Sequence, residues 1–135
     1  MMQQKGLSLI ELLIVIAVVG ILASIAYPSY RDQVRTTART DVVSLLYASA
    51  LQLERHYARA GQYSDSDSEQ TPLASGTAYY SLQAVRDIES FRLLARRLPA
   101  GLMTADHCGD YELDQAGVRG NPGSAGEAGG RCWGG

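Results

Sequence analysis

Lysine is almost absent from this chain. Lys5 is the only one, and arginine supplies the other eleven of the twelve basic residues, set against fourteen acidic ones. The formal charge of −2 gives no general pull toward nucleic acid or anionic lipid. The bias to arginine leaves a local phosphate-holding patch open, with Arg86, Arg92, Arg96, Arg97, Arg119 and Arg131 as its candidates, but scattered surface arginine is the simpler reading. Histidine is scarce as well: His56 is read as a surface or helix-packing residue, and His107 stands beside a cysteine. The sequence holds no GxxxxGK[ST] phosphate loop, no HExxH metalloprotease motif and no paired carboxylates in a catalytic context, so no enzymatic activity is expected. The two cysteines, Cys108 and Cys132, fall near the C-terminus, where a single disulfide fits their usage and two free thiols are the alternative. With His107 they offer three donors and no evident fourth, short of a structural zinc site, and no metal or cofactor is expected.

What the chain does have is a long apolar run. Residues 7–26, LSLIELLIVIAVVGILASIA, carry one charge, Glu11, and as a helix would extend ~30 Å, the thickness of a bilayer core. An ordinary signal peptide is one reading, cleaved after Ser24-Ile25-Ala26 and before Tyr27. Against it stand the length of the run and the carboxylate inside it, since an ionised group at bilayer depth is costly and usually functional.

The stretch Lys5-Gly6-Leu7-Ser8-Leu9-Ile10-Glu11 resembles the prepilin leader motif of type IV pilins. The resemblance implies that a prepilin peptidase cuts between Gly6 and Leu7 on the cytoplasmic side. Leu7, where the family usually has Phe, then becomes the N-methylated first residue, and Glu11 the fifth. Glu11 can thereby pair with the terminal ammonium of an incoming subunit, so that neither charge lies alone in an apolar medium. Counting positive charges disagrees: Arg31, Arg35 and Arg39 follow the run and only Lys5 precedes it. The leader motif carries several specific features at once, and Asp32 and Asp41 sit among those arginines, so the N-in, C-out orientation is retained.

Beyond the run, Val34, Ala38, Val42, Leu45, Ala48 or Ser49, Leu53 and Tyr57 recur at helical spacing, an amphipathic continuation of the same helix. Pro28 should bend or loosen it, and Gly61 caps it. Residues 7–60 would span ~80 Å as a helix, more than a domain of this size can cover, so the N-terminal half must pack in a bilayer or a filament. Residues 61–78 read as a loop. Asp65, Asp67 and Glu69 alternate there as calcium ligands can, but the glycine of the tight turn is missing and a solvated acidic loop is expected. Alternation then marks strands: Tyr80, Leu82 and Ala84 face one way, as do Phe91, Leu93 and Ala95 after a turn through Asp87-Ile88-Glu89, and Tyr111-Glu112-Leu113 makes a third. Glycines 117, 120, 123, 126 and 129 fall at every third position, and a free loop over 117–130 fits them better than a collagen helix.

The C-terminal segment, His107-Cys108-Gly109-Asp110-Tyr111-Glu112-Leu113-Asp114-Gln115-Ala116-Gly117 followed by Cys132-Trp133, resembles the end of the PilE-like minor pilins. There a cysteine pair closes a loop, which implies a Cys108–Cys132 bridge, and Trp133 is read as a packing anchor. The expected fold is α+β, the type IV pilin fold, with a long N-terminal helix packed on a small antiparallel sheet. Its organisation is a leader over 1–6, an apolar half-helix over 7–33, and a headpiece over 34–135 made of helix 34–60, loop 61–78, sheet 79–114 and disulfide loop 108–132.

The resemblance implies a minor pilin that takes part in pilus assembly, in a priming or tip complex, and supports twitching motility. Its implied partners are other pilins, the prepilin peptidase and the inner-membrane assembly platform. DNA binding in an uptake system is the alternative, disfavoured by the overall acidity, and a secretion-system pseudopilin is another. The implied location is the inner membrane with a periplasmic headpiece, then the pilus.

Overall fold

The computed structural model describes Gln3, residues 5–126 and residues 129–134. Two members of the glycine-rich stretch, Glu127 and Ala128, lie outside the described residues. The first element, α1, runs over Leu9–Ala60 and continues through Pro28, whose missing N–H removes one bond of the ladder without ending the helix. It starts two residues later than the apolar run, because Ser8 is its cap. It stops where Gly61, at φ 72°, donates its N–H to the Tyr57 carbonyl at 2.8 Å. That left-handed conformation suits glycine and ends the helix.

The chain divides into two compact units, one up to Val34 and one from Arg35. In the first, the apolar side chains of α1 are exposed, from Leu9 at 76% to Ile25 at 66%. The helix carries an 18-residue window of mean hydropathy 2.8, none of it buried.

In the second unit α1 meets an antiparallel sheet of four strands in the order β1-β2-β3-β4, formed by Tyr80–Arg86, Phe91–Arg97, Tyr111–Asp114 and Arg119–Gly120. The β1–β2 hairpin closes through an Asp87 N–H bond to the Ser90 carbonyl at 2.8 Å. Its register sets Ala84 opposite Leu93 and Leu82 opposite Ala95, so the apolar residues read from the alternation share one face. Strand β4, only two residues long, has no periodic signal to announce it. A short helix, α2, follows at Gly129–Cys132.

The core combines Ala38, Val42, Leu46 and Leu53 of α1 with Tyr80, Phe91, Leu93, Ala95, Tyr111 and Leu113 of the sheet. Each fully buried leucine contributes about 2 kcal/mol, and Leu93→Ala, leaving a cavity as well, would cost about 2 to 5 kcal/mol. The buried stripe of α1 is Ala38, Val42, Leu46, Ser49, Leu53 and His56. It departs from the sequence reading at one position, where Leu46 rather than Leu45 is fully buried; of Ala48 and Ser49 it is Ser49 that is buried, and of the two readings of His56 the helix-packing one holds. The i, i+4, i+8, i+11, i+15, i+18 ladder follows 3.6 residues per turn, and two polar residues on it masked that phase.

Polar bonds hold His56 in this interior position. Its Nε2 lies 3.0 Å from the Ser64 carbonyl, which can only accept, so that nitrogen carries the proton. Its Nδ1 then accepts from the Thr71 hydroxyl at 2.8 Å. The histidine thereby ties α1 to both ends of the 64–71 loop. Asp65 is not simply solvated: it accepts the Thr71 N–H at 2.9 Å and pairs with Arg86 at 2.9 Å. The Thr71 N–H and the Arg86 charge and hydrogen bond hold its carboxyl below the usual range despite some desolvation.

Candidate functional site

The chain's distinctive chemistry lies at its two ends. Residues 5–8 precede α1 without helical structure, so the Gly6–Leu7 bond sits in the non-helical lead-in, with Gly6 exposed and Leu7 74% exposed. Immediately after it, Ser8 and Glu11 cap the helix reciprocally. The Ser8 N–H donates to Glu11 Oε2 at 2.9 Å, and the Glu11 N–H donates to Ser8 Oγ at 3.2 Å. This is the Ser-x-x-Glu capping box, and it places the carboxylate at the positive end of the helix dipole. Its signal was present in Ser8-Leu9-Ile10-Glu11 and marks Ser8 as a residue the leader motif alone does not single out. Glu11 remains exposed, so a second donor can reach its carboxylate.

At the other end Cys108 and Cys132 form a disulfide with Cα atoms 5.7 Å apart. His107 brings a ring nitrogen within 4.8 Å of both sulfurs, but those sulfurs are bonded to each other and offer no thiolate to a metal. Around the bridge, Tyr111 donates its hydroxyl to the Cys132 carbonyl at 2.9 Å. Trp133 packs edge-on between Tyr47 and Tyr111 and donates its indole N–H to Asn121 at 2.8 Å. Trp133 is therefore an anchor. Burial pushes the Tyr111 hydroxyl up to about 12. Gly109, at φ 67°, turns the chain beside the bridge, and a Cβ there would stand 2.5 Å from the Pro122 carbonyl oxygen.

A buried ion pair fastens this end to α1. Asp106, with a side chain 1% exposed, accepts from Arg39 Nε at 3.0 Å and from Arg39 Nη2, and its Oδ2 also accepts the Cys108 N–H at 3.2 Å. Burial alone would push the Asp106 carboxyl up. The Arg39 hydrogen bonds and charge, with the Cys108 N–H, outweigh burial and hold it below the usual range. Nothing in the local sequence separates Asp106 from its neighbours, and it was not among the sites read from sequence.

The six candidate arginines do not form one patch. Arg86 turns inward to the Tyr63 and Thr71 carbonyls and Asp65. Arg97 holds Asp110 at 2.9 Å and the Thr104 carbonyl at 2.9 Å. Both are internal struts. Arg92 pairs with Glu112 at 3.4 Å, Arg96 is exposed on β2, Arg119 lies 5.8 Å over the Trp133 ring, and Arg131 is exposed beside the disulfide.

Residues 1–27 match the prokaryotic N-terminal methylation motif, and residues 28–112 match the family described as type IV minor pilin ComP, DNA uptake sequence receptor. The chain belongs to the type IV pilin family. Among its relatives, Fimbrial protein Q of Moraxella bovis is 56% identical over 45 residues, 33% of this chain and 29% of that protein. A fimbrial protein of Neisseria meningitidis is 36% identical over 74 residues, 55% of this chain and 43% of its own length. The type IV major pilin protein PilE1 of Neisseria gonorrhoeae is 36% identical over 64 residues, 47% of this chain and 39% of that one. The pilin thus spans less than half the length of these relatives. A type IV pilin structure from Shewanella oneidensis is 32% identical, with a TM-score of 0.49 covering 66% of this chain and 93% of that one. The methylation motif and the exposed apolar helix fit anchoring in the inner membrane.

Proposed function

We propose that this pilin is a minor subunit whose headpiece receives DNA during uptake, carried on a helix that joins the filament after cleavage between Gly6 and Leu7. The observation that carries the reading is the match of residues 28–112 to the ComP family, whose description names a DNA uptake sequence receptor. The distribution of charge in the headpiece supports it. Arg96 and Arg131 stay exposed, while three of the fourteen acidic residues are held in pairs, Asp106 with Arg39, Asp110 with Arg97 and Asp65 with Arg86.

In this reading prepilin peptidase removes residues 1–6 and Leu7 is N-methylated. The inner-membrane platform passes the subunit into the filament through Glu11. The role is one of assembly and binding, without catalysis. The priming or tip role has no observation of its own beyond this shared route into the filament.

Deletion separates the two roles. Cells lacking a DNA receptor keep their pili and lose DNA uptake and transformation; cells lacking a priming subunit lose pili and twitching together. Retained piliation with normal DNA uptake would contradict the receptor reading.

A further inference from the structure

In the headpiece a groove of about 160 Å³ runs between one face of α1 and the C-terminal segment, lined by Thr36, Arg39, Thr40 and Ser44 on one side and Arg131 and Cys132 on the other. We infer that this groove seats a phosphodiester of the DNA backbone, gripped by Arg39 and Arg131 with the Ser44 hydroxyl. The inference rests on the DNA-receptor reading and deepens it.

Three observations carry it. Thr36, Thr40 and Ser44 recur at i, i+4 and i+8, which stacks their side chains in one column beside Arg39. The Thr40 hydroxyl proton is committed to the Thr36 carbonyl at 3.0 Å, so Ser44 supplies the hydroxyl donor. Among the described residues no acidic side chain lines the groove. Charge decides the class of ligand. Asp106 neutralises Arg39 through Nε and Nη2 and leaves the Nη1 edge outside that pair, so Arg39, Asp106 and Arg131 together carry one net positive charge. That matches the single negative charge of a phosphodiester better than the double charge of a terminal phosphate. The grip is also pre-formed: Cys132, bonded to Cys108 and buried, fixes the backbone next to Arg131, and the Asp106 pair fixes the Arg39 guanidinium. A contact of this kind positions the duplex and carries no base sequence, so the grooves of the DNA must be read elsewhere on the headpiece.

The test uses the mature full-length pilin in detergent micelles and a fluorescently labelled DNA duplex, with anisotropy followed across a salt series. Arg131→Gln is expected to weaken binding about tenfold at low salt and to lower the slope of log affinity against log salt by about 0.9, the loss of one phosphate contact. Ser44→Ala is expected to weaken it about threefold. Arg55→Gln removes the same charge from a part of α1 away from the groove and keeps the full slope. Arg131→Gln behaving like Arg55→Gln would overturn the site while leaving the receptor reading intact. If the wild-type pilin binds no DNA, the receptor reading falls, and the site is judged by titrating inorganic phosphate at constant ionic strength against the fluorescence of Trp133, the only tryptophan, next to the groove. A saturable change lost in Arg131→Gln sustains an anion seat, and no change overturns it.

Discussion

Glu11 meets two demands with one carboxylate. In the structure it accepts the Ser8 N–H at the positive end of the helix dipole, and the proposed assembly role asks it also to take the amine of a neighbouring subunit. An ionised group in apolar surroundings without a partner would be strongly disfavoured, so this local cap makes the unassembled state tolerable. The scarcity of lysine makes the pairing testable. In the proposed processing Lys5 leaves with the leader, after which the Leu7 α-amine is the only amine in this chain. In purified pili, where a minor subunit has other pilins as neighbours, a zero-length carbodiimide should therefore join Leu7 to the glutamate at the equivalent position of a neighbouring pilin, and Glu11 to a neighbour's terminal amine, read as cross-linked peptides by mass spectrometry. Glu11→Ala should remove the second of these and lower incorporation into pili at least tenfold. Cross-links from Leu7 to some other carboxylate would contradict the pairing.

Asp106 gives a pH prediction at the same scale. Its carboxyl lies below its unfolded value in the folded chain, so the pair contributes stability above about pH 4 and loses it as pH falls through the lower folded value. Asp106→Asn should flatten the acid limb of a thermal-melting profile and cost about 3 kcal/mol at pH 7, because Arg39 is left without its partner. An unchanged acid limb would contradict this account. Glu11 was legible in sequence because a charge inside an apolar run stands out. Asp106 was not, because its partner is 67 residues away in the chain.

Elements were legible where their periodicity was clean. The alternation of Tyr80, Leu82 and Ala84 and of Phe91, Leu93 and Ala95 gave two strands, and tertiary pairing bore out the shared face. The phase of α1 was harder to read, because Ser49 and His56 occupy core positions that hydrophobicity alone assigns to solvent; their hydroxyl and imidazole are accommodated by packing and by the Ser64 and Thr71 bonds. The Cys108–Cys132 bridge followed from usage and family resemblance, and it fastens α2 to the loop before β3. Closing a loop of 24 residues contributes roughly 3 to 4 kcal/mol by the chain-entropy model. Reduction, or the double change Cys108→Ser and Cys132→Ser, should lower stability by about that amount and release Trp133, read as a red shift of its fluorescence. Retained melting temperature and emission after verified reduction would show that the Tyr111, Asn121 and Asp106 contacts suffice without the bridge.

At the scale of the molecule, length and composition could announce a small headpiece behind a long apolar helix, but not the sorting of the arginines. Which guanidinium faces inward depends on where each acidic partner lands after folding: Arg86 and Arg97 were consumed by Asp65 and Asp110, while Arg131 lines the same groove as Arg39 at the end of a segment held by the disulfide and the Tyr111 and Asn121 bonds. The division into two units follows the chain, with an apolar half of α1 that is exposed and a headpiece that keeps its own core.

The most direct test of that account is the N-terminal sequence and intact mass of the mature protein purified from its native membrane or pilus fraction. A chain beginning at N-methylated Leu7, two mass units below the value for free thiols, is the predicted result and establishes leader cleavage and the Cys108–Cys132 bridge together. A chain beginning at Tyr27 would remove Glu11 and the apolar half of α1, and would contradict assembly through that helix.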